Sequence, residues 1–138
     1  MPVDGAALHG VPFLEPLRDK DRNRLARDMS ERRVSAGEEL VSQGSAGIAF
    51  FVILDGTATV AVDGQTRRKL GPGDHFGEIA LLLPDVERSR TATVRADTDM
   101  RVAGMAEWNF KGFISEHPEV AWTLLTTLAR QLVASDAK

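Results

Sequence analysis

Cysteine is absent from the 138-residue chain, which excludes a disulfide frame, a thiolate metal site and a cysteine nucleophile. No apolar run approaches the roughly 20 residues that span a bilayer. The first residues lack the basic-then-apolar order of a secretory leader. A cytoplasmic location without a membrane segment is the expectation. Positive charge is not in excess: 17 basic against 20 acidic residues leave a formal charge of −3, unlike the basic footprint of a general nucleic-acid binder. Histidine is scarce, with three residues, His9, His75 and His117. A cupin-type metal enzyme on a small barrel needs clustered histidines and a carboxylate. The stretch GPGDHFGE brings only His75 and Glu78 together. A serine nucleophile elbow and a Gly-Lys-Ser/Thr phosphate loop are both missing, as are repeats and low-complexity segments. No catalysis and no cofactor are expected.

What is present fits one domain with one core. Residues 1–12 hold Pro2, Gly5, Gly10 and Pro12 and read as a loose arm. The stretch LEPLRDKDRNRLARDM reads as a helix, with Leu14, Leu17, Leu25 and Met29 at helical spacing and Asp19 as N-cap. From Arg33 the period shortens. Phe51, Ile53, Val60 and Val62 alternate as a half-buried sheet does. Asp55-Gly56 and Asp63-Gly64 are the strongest hairpin signals in the chain. Further strands lie around the turn at residues 97–99. At Ala106 the period lengthens again. AEWNFKGFISE predicts a short helix. Pro118 suits the first turn of another, on which Val120, Leu124, Leu128 and Leu132 form a stripe widened by Leu125 and Ala129. The order is a helix, seven or eight short strands, then two helices. It predicts a mainly β domain with flanking α, a barrel or jelly roll.

One stretch, FGEIALLLPDVERSRTATV, carries chemistry. GEIALLL can make a turn or two of helix once Ile79 and Leu82 pack on the barrel. Gly77 and Glu78 then lie at a helix N-terminus, whose unpaired N–H groups attract an anion. Gly77 admits close backbone approach. Arg90 offers a bidentate contact to phosphate, and Thr91 a hydroxyl beside it. Glu78 can accept from a ribose hydroxyl. Taken singly, Glu78 is also an ordinary helix-start acid. Arg90 is also an ordinary surface partner of Asp85 or Glu87. Taken together, the set complements one ribose and one phosphate.

These residues, FGEIALL followed by RTATV, resemble the phosphate-binding cassette of the cyclic nucleotide-binding domain family. That family includes catabolite activator proteins, regulatory subunits of cyclic-AMP-dependent kinase and gated channels. The likeness covers nearly the whole chain, including the glycine turns at Gly37, Gly44, Gly56, Gly71 and Gly73. It implies an eight-stranded antiparallel β-roll with an N-terminal helix and C-terminal B and C helices. Residues 1–138 would form one domain: arm and helix over 1–30, β-roll over 31–106 with its cassette at 76–94, and helices over 107–138. It implies that Glu78 takes the ribose 2′-hydroxyl and Arg90 the cyclic phosphate. Amides near Gly77, Ile79 and Ala80, with Thr91, complete the cradle. Counting along the C helix puts Arg130, Ser135 and Asp136 near the purine. Cyclic AMP is expected ahead of cyclic GMP, although Thr91 could meet the guanine amino group. The segment 81–89, with Pro84, Asp85 and Glu87, is a little longer than in the kinase subunits.

The function implied is a receptor that binds ligand in the β-roll and signals through its C-terminal helices. The alternatives are a β-roll with a degenerate cassette kept for protein contact and, further off, the cupin-type enzyme. The partners expected are the nucleotide and a second copy or an output domain, fused or separate. The chain ends soon after the C helix, so no helix-turn-helix module and no DNA binding are expected of it. His75 is expected at a loop edge, His9 and His117 on the surface, and Trp108 and Trp122 in helix packing. Arg67, Arg68 and Lys69 are expected on a solvated strand edge.

Overall fold

The computed structural model describes residues 3–41, 49–77 and 93–136. Two 3-10 turns, Gly5–Leu8 and Pro12–Leu14, lead into helix α1 (Asp19–Arg27). The strands are β1 (Ser30–Val34), β2 (Glu39–Val41), β3 (Ala49–Asp55), β4 (Ala58–Val62), β5 (Gln65–Leu70), β6 (His75–Phe76), β7 (Thr93–Ala96) and β8 (Met100–Ala106). Helices α2 (Glu107–Glu116) and α3 (Pro118–Asp136) close the chain. Among the described residues, the strands form two four-stranded sheets, β1-β8-β3-β6 and β2-β7-β4-β5, with antiparallel pairing throughout. The expected mainly β roll with flanking helices is what forms.

Local signals succeed where both partners are local. Val62 pairs with Gln65 across the two-residue Asp63–Gly64 turn, so this hairpin is as read. Asp55–Gly56 is not a hairpin. β3 pairs with β8 and β6, whereas β4 pairs with β5 and β7, so the chain changes sheet at this corner. Gly56 has φ 90°, and a Cβ there would lie 2.4 Å from the Asp99 carbonyl oxygen. Glycine is required by the tight passage of two connections, not by a turn between paired strands.

The N-terminal helix is shorter than the leucine spacing implies. Leu14 lies in a 3-10 turn, because Pro16 has no N–H for a helical ladder. Asp19 is not the N-cap. The Arg18 carbonyl accepts from the Asp21 and Arg22 amides, so Arg18 holds that place, and Asp19 pairs with Arg22 at 2.7 Å.

In the sheet β1-β8-β3-β6, strands β3 and β8 place buried apolar residues on both faces. Towards the roll, Ile53, Phe76, Met100 and Val102 join a cluster with Val34, Val60, Leu70 and Val94. Towards the helices, Phe50, Val52, Ala103 and Met105 join Phe13, Leu14, Leu25, Phe110, Val120 and Leu124. β3 is therefore apolar at nearly every position rather than alternating, since both of its faces lose water. Arg67 and Lys69 are exposed on the edge strand β5, as expected, and Arg68 is half-buried.

Candidate functional site

The frame of the site begins at the turn GPGD. The Gly71 amide donates to Asp74 Oδ2 at 2.8 Å, closing the turn. The Ile53 amide donates to the Asp74 carbonyl, and the Gly73 amide to the Ile53 carbonyl, each at 2.9 Å. These bonds set the register of β6 on β3, with Val52 opposite His75 and Phe51 opposite Phe76. Alternation then sends the two side chains to opposite faces. Phe76 stacks on Phe51 with centroids 5.2 Å apart, beside the roll interior. His75 goes to the helix side, stacked on Phe50 at 5.4 Å and edge-on to Phe13 at 5.0 Å.

Gly77 follows the end of β6 and is half-buried with φ 98°. An L side chain there would be strained. The chain returns at Thr93, opposite Ala61, in the other sheet. Segment 78–92 thus leaves from the edge strand of one sheet and re-enters the interior strand β7 of the second. Glu78, Ile79, Ala80, Arg90 and Thr91, with Pro84, Asp85 and Glu87, lie outside the described residues.

The exit point faces the helices. Ala49 pairs with Ala106, immediately before α2, at the end of the sheet where Gly77 leaves. β6 and β8 flank β3, so Gly77 and the start of α2 stand two strand spacings apart, roughly 10 Å. α3 also reaches β6. Thr127 and Gln131 line a cavity of about 70 Å³ together with Phe13, Arg68, Asp74 and His75. Arg130 is exposed on the same helix. Ser135 and Asp136 lie in its last turn, and their side chains lie outside the described residues.

Several expectations outside the cassette change. His75 is buried rather than at a loop edge, because β6 is packed under Phe13 and against Phe50. The mirrored pairs Phe50-Phe51 and His75-Phe76 were a readable signal that both strands face apolar surroundings on both sides. His117 is half-buried, not an ordinary surface residue. It caps α2, lies 5.0 Å from the Phe113 ring and 3.2 Å from a Glu119 carboxylate oxygen. His9 is exposed, as expected. Trp122 is exposed rather than packed, and the Trp108 side chain lies outside the described residues. Among the described residues no group of three His, Asp or Glu is placed to hold a metal. No described helix is long and apolar enough to cross a membrane.

The residue pattern of the family described as cyclic nucleotide-binding domain matches residues 31–117. A cAMP-dependent protein kinase regulatory subunit from Yarrowia lipolytica is 37% identical over 108 residues, covering 75% of this chain and 28% of its own length. Glutaminase 2 of Bradyrhizobium diazoefficiens is 34% identical over 112 residues, covering 78% of this chain and 17% of its own length. The chain therefore spans a minor part of these curated relatives. Among solved structures, the catabolite activator protein of Thermus thermophilus is similar with a TM-score of 0.79 and 27% identity, over 91% of this chain and 60% of that one.

Proposed function

The chain belongs to the cyclic nucleotide-binding domain family, and from that premise we propose that it is a non-catalytic cytoplasmic receptor for a cyclic purine nucleotide. Residues 1–138 act as one module. Glu78 accepts from the ribose 2′-hydroxyl, and Arg90 pairs with the cyclic phosphate. Amides near Gly77, Ile79 and Ala80, with the Thr91 hydroxyl, close the cradle. Arg130, Ser135 and Asp136 lie nearest the base. Cyclic AMP is the first ligand, in keeping with the relatives named as cAMP-dependent kinase subunits, and cyclic GMP the second. The observation that carries this reading is the family match over residues 31–117, a range that includes 76–94.

Signalling follows from where the cassette is anchored. Gly77 leaves the sheet at the end where α2 begins, and α3 lies against β6. A ligand held by residues 78–92 can favour one seating of α2 and α3 over another only through contacts that differ between the two. The output is a further domain, fused or separate, consistent with relatives in which the matched region is a minor part.

Calorimetry with cyclic AMP and cyclic GMP tests the reading on wild type and Arg90→Ala. Removing one partner of a desolvated charge pair costs about 2–5 kcal/mol, so affinity falls at least about 30-fold. The ratio of the two wild-type affinities decides the purine. Equal affinity in the variant would overturn the assigned role of Arg90. Absence of binding by either nucleotide at millimolar concentration would leave a β-roll kept for protein contact.

A further inference from the structure

The end of the sheet away from α2 carries a serine set among arginines. Arg32, Arg33, Val34 and Ser35 run from β1 into the turn that follows it. No other serine or threonine in the chain follows two consecutive arginines at that spacing. β1 is an edge strand, so the stretch is already extended and open on one side. Arg32, Arg33 and Ser35 are exposed. The Glu38 amide donates to the Ser35 carbonyl at 3.0 Å, so the turn closes through the backbone and not through the hydroxyl. Arg33 stands directly opposite Arg101 in the β1-β8 ladder. Like charges in that position repel. The Glu31 carboxylate is shared between them, 3.7 Å from Arg33 Nε and 3.4 Å from Arg101 Nε. Among the described residues, Arg101 Nε is buried without a hydrogen-bond partner. Arg33, Arg101 and Ser35 line one cavity of about 310 Å³. Asp55 and Asp99 line it too, but each turns a carboxylate oxygen to a backbone amide, of Gly56 at 3.0 Å and of Ala36 at 2.9 Å.

We propose that Ser35 is a phosphorylation site for a basophilic serine kinase, and that Arg33 and Arg101 hold the phosphate once it is attached. Such kinases select substrates by charge pairing with basic residues ahead of the serine. In the transfer, the Ser35 hydroxyl oxygen bonds to the γ-phosphorus of ATP. The bond from that phosphorus to ADP breaks, and the hydroxyl proton passes to a base of the kinase. The product carries nearly two negative charges and three acceptor oxygens. It supplies what the arginine pair lacks, an acceptor that two guanidiniums can share through charge-assisted bonds. Once captured, it ties the β1–β2 turn to β8. Ser35 follows Val34, which pairs with Met100, whereas Gly77 leaves the sheet at the end where Ala49 pairs with Ala106. The rise of β8 from Met100 to Ala106 separates the two ends by roughly 20 Å, so the mark lies apart from the nucleotide site.

A serine kinase chosen for its activity on the peptide ERRVSAGEE is the probe, with ATP and the 138-residue chain. No cyclic nucleotide is used, so failure leaves the receptor reading untouched. Mass spectrometry should find one phosphoryl group on Ser35 of the folded protein. Arg32→Gln should slow its transfer at least about tenfold. Capture is read separately, by phosphorus NMR, from the second ionisation of the phosphate, ordinarily about 6. Two guanidiniums favour the dianion, so the value should fall by at least about half a unit in wild type. Arg101 is remote from the motif in sequence. Arg101→Gln should therefore leave the transfer rate unchanged and return the ionisation to its ordinary value. Arg101→Lys, which keeps the charge without the fork, should fall between the two. A folded chain that stays unmodified while the peptide is phosphorylated would overturn the site. An ionisation at or above its ordinary value, or one that neither Arg101 variant moves, would overturn the capture.

Discussion

On one face of the β1-β8-β3-β6 sheet, Ile53, Met100 and Val102 point into the β-roll; on the other, Phe50, Val52 and Met105 point at the helices. The roll-side cluster takes its buried residues from all eight strands described, from Val34 on β1 to Val102 on β8. Those strands are tied to one another by antiparallel ladders, so none can slide without breaking backbone bonds. The helix-side cluster takes Leu8, Phe13 and Leu14 from the N-terminal turns, Leu25 from α1, Phe110 from α2, and Val120 and Leu124 from α3. Helices satisfy their own backbone bonds. They are held to the sheet by non-directional apolar contact. One sheet therefore joins a side locked by ladders to a side that can be reseated. The chain leaves the edge of this sheet at Gly77, at the end where α2 begins; in the proposed function, a nucleotide bound there acts on the second side while the first stays fixed.

The sharpest way to break that comparison is to remove its central ring. Phe50 is 1% exposed and lies within 5.6 Å, centroid to centroid, of Phe13, His75 and Phe110. Phe50→Ala should cost about 3–5 kcal/mol. Phe51→Ala, at the half-buried position on the opposite face, should cost clearly less. Urea unfolding of both variants decides, and equal costs would mean that the helix side is no more dependent on packing than the roll.

Nucleotide binding should sharpen it next. At a cyclic AMP concentration 100 times its dissociation constant, the folded state should gain about 2.7 kcal/mol. Hydrogen exchange should place that gain more in the amides of α2 and α3 than in those of β4 and β8. Uniform protection would break the asymmetry, while no protection anywhere would count against the receptor reading itself.

A smaller effect is expected at the corner between the sheets. Gly56→Ala puts a Cβ against the Asp99 carbonyl at a φ that disfavours side chains, and should cost about 1–3 kcal/mol in thermal or urea unfolding. A neutral result would show that the two sheets can part there. The smallest effect belongs to the outer polar surface. The Thr59 hydroxyl donates to Asp97 at 2.8 Å, and Lys69 donates to Asp97 at 3.4 Å. Asp97→Asn should cost less than about 1 kcal/mol. A larger loss in urea unfolding would show that this surface, and not only the two apolar faces, holds the roll together.

The residues explain how much of this was legible beforehand. Pro118 marked the start of α3, and Asp63-Gly64 marked its hairpin, because each is a local event decided by φ and by a missing N–H. Asp55-Gly56 carries the same dipeptide chemistry yet joins strands of different sheets, since β3 and β4 find better partners far along the chain. The family was legible through the residue types and spacing of FGEIALL and RTATV. Of the residues assigned to the cassette, Gly77 is described, and Glu78, Ile79, Ala80, Arg90 and Thr91 lie outside the described residues. His75 was misread, since one histidine beside a glycine turn says nothing of the aromatic rings, Phe13 and Phe50, that two other segments bring to it.

The sequence by itself determined the period of each element, the positions where glycine or proline is needed, and the family to which the cassette points. Those properties depend on φ, ψ and side-chain chemistry over a few residues. Tertiary structure decided which strands share a sheet, that β3 loses water on both faces, and which arc of α3 is covered. Val120, Leu124 and Leu128 were read as one stripe with Leu132, yet Leu132 stands in water beside Trp122 and Leu125. A helix that is apolar on two arcs has no local reason to bury either. The choice was made by the Phe50–Phe110 surface that the sheet and α2 present to it.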